Sequence, residues 1–164
     1  MTAARPDPVA PADNEARGLA QGLLAAARHA ALAWTDLETG TPGISRISFG
    51  LGPDGCPVTL ISALAPHFAA LRADPEAAVM VGEPGAKGDP LTHPRLMLRV
   101  QAAFVDRAAA DHAELRARWL ADHPKTALYI DFADFALVRL RPISALLNGG
   151  FARAYRLSPG DLRP

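Results

Sequence analysis

The chain is poor in cysteine. Cys56 is the only one, so no disulfide can form within the chain and no zinc set built on several thiolates is available. That usage fits a reducing compartment. No basic-then-apolar signal pattern opens the sequence, and a cytoplasmic location is the expectation. No stretch reaches the ~18 apolar residues that a membrane-spanning helix requires. Neither sign of charge is in excess, because 17 Lys and Arg balance 17 Asp and Glu. A general nucleic-acid binder carries a basic surplus, so that class is set aside. The familiar catalytic signatures are missing too: there is no G-x-S-x-G elbow, no G-x-G-x-x-G and no H-E-x-x-H. The Gly82–Gly88 run contains Lys87, but Gly88 follows it where a phosphate loop needs Ser or Thr, so it reads as a turn. None of the 5 histidines pairs at helical spacing, and no metal site is expected.

What remains is an ordinary globular composition, 49% hydrophobic and 21% charged over 164 residues. That suits one domain with a sizeable core. Residues 1–13, rich in Pro and Ala, read as a loose N-terminal arm, and 14–164 as the folded domain. Asp13 or Asn14 can cap a helix over 14–30, with Leu19, Leu23, Ala26, Ala27 and Ala30 at helical spacing. Strands are predicted at 31–37, 44–51 and 56–62. The second and third are joined by the turn Gly52-Pro53-Asp54-Gly55. A short helix opens at Pro66 and ends before Asp74-Pro75. Strands at 77–82 and 96–105, a helix over 108–122 and strands at 135–141, 143–147 and 151–157 complete the pattern, with Pro142 between the first two of these last three. Helices do not alternate regularly with strands, which argues for α+β with an antiparallel sheet and against a doubly wound parallel one.

Three stretches carry candidate chemistry. Arg46 lies inside a short strand. Ser62 stands at a strand end and His67 at a helix start, where free N–H groups favour anions. Asp89-Pro90-Leu91-Thr92-His93-Pro94-Arg95-Leu96 leads into a long strand. Together they form a candidate phosphate cradle.

The order of these stretches resembles the pyridoxamine-phosphate-oxidase-like, FMN-binding split-barrel superfamily, nearest its bacterial haem-utilisation branch. The resemblance rests on the strand Ser45-Arg46, on Leu60 to His67 followed by Asp74-Pro75, and on Asp89 to Thr92 with Arg95-Leu96. It rests also on Asp122-His123-Pro124 with Tyr129, on Asp134-Phe135-Ala136-Leu137, and on Gly149-Gly150-Phe151-Ala152-Arg153-Ala154. It covers about residues 18–157. It implies a six-stranded antiparallel split β-barrel with short flanking helices, a homodimer, and FMN at the dimer interface. The implied FMN contacts are Arg46 and His67 at the phosphate, Ser62 and Ala63 along the flavin, and Arg95 with Leu96 from a neighbouring region. It further implies an FMN-dependent oxidoreductase acting on a small molecule, with no nucleic-acid or membrane partner. The alternative is a haem-binding or haem-utilisation protein. That branch often carries an iron-ligating histidine just after the G-G-F motif. Here the place holds Tyr155, so efficient haem breakdown is not expected, and His93 is the histidine left to reach a pocket.

Overall fold

In a computed structural model, which describes residues 8–151 and 153–163, the fold is a single large sheet wrapped around its core and flanked by three α-helices. The first helix, α1 (Asn14–Ala26), starts where Asp13 accepts a hydrogen bond from the Ala16 N–H at 2.7 Å. It buries Ala16, Ala20 and Leu24, an i, i+4, i+8 stripe of small and aliphatic residues. It ends four residues earlier than its alanine pattern suggests. Ala30 belongs instead to strand β2 (His29–Thr35), where it pairs with Ile47. Alanine serves either structure, and the ladder on both sides of β2 decides the matter.

The strands that follow are β3 (Pro42–Ser48), β4 (Gly50–Leu51), β5 (Pro57–Ser62), β6 (Glu76–Val81), β7 (Arg95–Phe104), β8 (Phe135–Asn148) and β9 (Ala154–Leu157). With β1 (Val9–Pro11), which runs parallel to β9, they make nine strands in one sheet, not six. The segment expected as a loose arm therefore contributes a strand at its C-terminal end, while residues 1–7 lie outside the described residues. The other difference lies at Pro142. It suggested a break between two strands, but β8 is continuous through it. The proline faces Val100 at a register shift between Arg99 and Val100, where a missing N–H is tolerated.

The pairing path runs β3–β2–β6–β7–β8–β5–β4, and only Phe49 separates β3 from β4. No backbone ladder joins β3 to β5. Two side-chain bonds bridge them: Ser48 Oγ donates to the Leu60 carbonyl at 3.3 Å, and Thr59 Oγ1 to the Ser48 carbonyl at 2.7 Å. The sheet therefore curls almost back on itself and stays open along one seam. Phe49, fully buried, fills the corner beside that seam.

The remaining helices lie at the edges of this sheet. Helix α2 (Pro66–Ala73) follows β5, and α3 (His112–Asp122) packs Leu115 and Trp119 on Val58, Leu60 and Leu137. The Asp122-His123-Pro124 motif is structural. The His123 ring stacks on Trp119 with centroids 4.1 Å apart and donates through Nε2 to the Phe49 carbonyl at 2.9 Å. Trp119 Nε1 donates to Thr126 Oγ1 at 3.1 Å, and that hydroxyl donates to the His123 carbonyl at 2.7 Å. Replacing Thr126 with Val leaves the buried indole N–H without an acceptor. The expected cost is about 1–3 kcal/mol, read as a lower urea midpoint with an unchanged slope.

Candidate functional site

The β4–β5 pairs, Gly50 with Val58 and Leu51 with Pro57, fix a register. Past Phe49 the two bridging bonds hold Ser48 against Thr59 and Leu60, and β3 forms no ladder with β5 beyond that point. Arg46 is exposed and Ser62 half-buried, so both reach the rim of the open seam. Ser62 Oγ accepts from the Leu64 N–H at 3.2 Å, and the exposed Ala63 donates its N–H to the Asp134 carbonyl at 2.6 Å. These bonds turn the chain into α2. The Ser45–His67 bond at 3.0 Å places β3 beside the start of α2, and Arg46 adjoins Ser45 in β3.

His67 lies in the first turn of α2 and is largely buried. It is only 8% exposed, and its Nδ1 is bonded to Ser45 Oγ at 3.0 Å. Ser45 Oγ also accepts from Trp34 Nε1 at 3.0 Å. Ser45 belongs to the Ser45-Arg46 motif, but nothing in the sequence links it to His67 or to Trp34. Burial holds the His67 pKa below the usual imidazole value. The charged form of the ring is therefore disfavoured, which weakens it as a cationic contact for an anion. In the unfolded chain it takes up a proton more readily than in the fold, so stability rises with pH until the pH passes the ordinary value of about 6.5. The expected observation is an NMR titration of the His67 ring with a midpoint below that of a free imidazole. A midpoint above it would mean that the ring is charged and anion-facing.

Arg95 and Leu96 do not join this group within one protomer. They open β7, three strand spacings from β3 along β3–β2–β6–β7, roughly 14 Å away. Leu96 is fully buried in the core, and Arg95 donates to the Leu91 carbonyl at 3.1 Å.

The strand registers reveal a feature that the sequence did not. Arg46 pairs with Ala31, Ala31 with Met80, Met80 with Met97, Met97 with Leu146 and Leu146 with Arg156. Directly paired residues share a face, so these six form one row across the outside of the sheet. A second row, Ile44, Ala33, Ala78, Arg99 and Ser144, lies beside it. Ile44 is 78%, Met80 45% and Leu146 37% exposed. The result is an open apolar band with guanidinium groups at its margins. Contiguous apolar surface of this kind marks a binding face more often than idle surface.

Tyr155 does not reach that band. It pairs with Leu147, a core residue, and packs against the core side of the sheet, where its hydroxyl accepts from Arg153 Nε at 3.4 Å. The Gly149-Gly150 motif makes the turn into β9. Gly150 has φ +118°, and a Cβ there would stand 3.1 Å from the Thr92 carbonyl oxygen. Ala152 of the same motif lies outside the described residues. His93 Nε2 bonds the Lys87 carbonyl at 2.9 Å, within the 83–93 loop. Among the described residues, no helix is long and apolar enough to cross a membrane.

No protein-family profile matches the chain. A chloroplastic non-canonical heme oxygenase of Arabidopsis thaliana is 31% identical over 116 residues, 71% of this chain, and the chain spans 34% of that relative's length. One solved structure is 41% identical and covers 94% of this chain and 99% of its own, with a TM-score of 0.84. A heme-binding protein from Mycobacterium smegmatis is 28% identical over 98% of this chain and 61% of its own, with a TM-score of 0.80. A general-stress-protein-26 relative of the pyridoxinephosphate oxidase family, from Clostridium acetobutylicum, shares the fold at 15% identity and a TM-score of 0.68.

Proposed function

The chain belongs to the pyridoxamine-phosphate-oxidase-like split-barrel superfamily, on its haem-utilisation branch, and on that premise we propose that it is a haem-binding protein acting as a homodimer through the outer face of its sheet. The observation that carries this reading is the row Arg46, Ala31, Met80, Met97, Leu146, Arg156. A porphyrin is a flat apolar ring with two carboxylates on one edge. Ala31, Met80, Met97 and Leu146 offer an apolar bed, and Arg46 and Arg99 offer guanidinium groups on the same face. The thioethers of Met80 and Met97 are chemically suited to iron, which proteins hold through Met as well as His, Cys or Tyr. Haem, when bound, supplies a redox-active iron. The chain's residues orient the ring, neutralise its carboxylates and, in a dimer, exclude water from it.

Binding rather than efficient breakdown is the proposed role, since Tyr155, in the place of the expected histidine, packs on the core side. The test is protein mixed with haem and a reductant in air, with free haem as control. Persistence of the Soret band supports the reading. Stoichiometric loss with release of a ring-opened product contradicts it.

A second reading, an FMN-dependent oxidoreductase, draws on a separate observation: the Ser45–His67 bond sets the exposed Arg46 in a strand beside the start of α2, an arrangement that suits a phosphate. Under it, Arg46→Ala weakens FMN about tenfold or more, since a charge-assisted bond is worth roughly 1.5–3 kcal/mol. It weakens riboflavin, which has no phosphate, much less. Equal losses for the two flavins would remove Arg46 from the phosphate.

A further inference from the structure

A cleft of about 470 Å³ lies between α2, the end of β7, the start of α3 and the segment leading into β8. It shares no residue with the outer-face rows. Its volume falls in the range of small-molecule sites.

The floor of the cleft is aromatic. Phe68 and Phe104 meet edge to face with centroids 5.0 Å apart. The Arg72 guanidinium sits 4.0 Å from the Phe104 centroid and 5.5 Å from that of Phe68. Among the described residues no carboxylate pairs with Arg72 and no hydrogen bond engages its N–H groups, so all of them face the cleft or water. Its two rings fix the position of the charge without neutralising it.

The far wall is held in place. Arg107 donates to the carbonyls of Asp131, Phe132 and Phe135, which ties that segment to the end of β7. Arg116 pairs with Asp131 at 2.6 Å and fixes the same segment from α3. These two arginines are used by the fold, whereas Arg72 is not. Ile130, Phe135 and Leu137 give the wall an apolar surface, and Asp106 adds one negative charge at the lining. A second anionic group on a ligand would meet that carboxylate.

We propose that this cleft binds a small aromatic monocarboxylate, its carboxylate forked on Arg72 and its ring against Phe68, Phe104 and Phe135. A planar guanidinium held on an aromatic floor presents two parallel donors to a carboxylate, and the surrounding apolar groups take the ring.

The test uses the full chain with 2-naphthoate as the probe and 2-naphthamide as its uncharged twin, followed by two-dimensional NMR. The expected result is saturable binding of 2-naphthoate, with shifts centred on the amides of Phe68, Arg72, Phe104 and Phe135. Removing the charge on either side, by 2-naphthamide or by Arg72→Gln, should weaken binding about tenfold or more. Arg72→Lys should restore only part, since an ammonium cannot fork. Arg72 is exposed, so the variants keep the fold, and an unchanged far-ultraviolet spectrum checks this. No saturable binding of 2-naphthoate at millimolar concentration, equal binding of the amide, or full affinity in Arg72→Gln would each overturn the proposal. The haem reading is untouched by any of these outcomes, because its face lies elsewhere.

Discussion

Phe49→Ala is expected to cost about 3–5 kcal/mol, a large share of the 5–15 kcal/mol that a domain of this kind has to lose. Phe49 is fully buried among the residues of the main core. Its backbone is also the point where three parts of the fold meet. Its N–H donates to the Arg28 carbonyl at 3.0 Å, its carbonyl accepts from His123, and it is the single residue between β3 and β4. The ring fills the corner where the sheet fails to close by backbone pairing. A cavity there therefore loosens the seam as well as the core. Urea unfolding should show a midpoint lowered in proportion, and a loss below 1 kcal/mol would show that the corner repacks around the void.

Met97→Glu is expected to have the largest effect on binding. Met97 lies in the middle of the outer-face row, between Met80 and Leu146, and its side chain points away from the core. Met97 is half-buried in the free chain between the more exposed Met80 and Leu146, so a charge there still reaches water at a modest cost to the fold. Within a dimer interface, or beneath a porphyrin, the same charge would be desolvated without a partner. Haem affinity should fall at least a hundredfold, on the order of 3 kcal/mol, and the protein should shift toward monomer. Light scattering and a haem titration read the two effects separately. If both are unchanged while Met97→Glu is folded, the outer face is not the binding face.

Much of this architecture was legible in the sequence because its signals are local. Asp13 before an alanine-rich run, the Gly52–Gly55 turn, Pro66 at a helix start and Asp74-Pro75 at its end each determine their own surroundings. Structure and sequence differ where local signals are neutral or point two ways. Pro142 looked like a strand end because a proline has no N–H to give, yet a bulge absorbs it within β8. Ala30 fitted a helix as well as a strand, and two neighbouring ladders chose the strand.

The site divides in the same way. Arg46 and Ser62 can be nominated one at a time, but the approach of β3 to β5 rests on the Ser48 bonds to Thr59 and Leu60, which no spacing encodes. His67 looked like an anion ligand at a helix start. Its burial against Ser45 and Trp34 is a tertiary fact that no spacing encodes. The outer row is the clearest case. Arg46, Met80, Met97 and Leu146 come from four separate strands, and only the pairing of those strands lines them up on one face.

The central claim, that this chain holds haem on the outer face of a dimer, is tested most directly by titrating the purified protein with haem while following both absorbance and mass in solution. The expected result is a dimer whose Soret band grows to a sharp, stoichiometric end point, shifted from that of free haem and altered by Met80→Leu or Met97→Leu. A featureless rise matching free haem, or a protein that carries flavin bands and gains no Soret band, would contradict it.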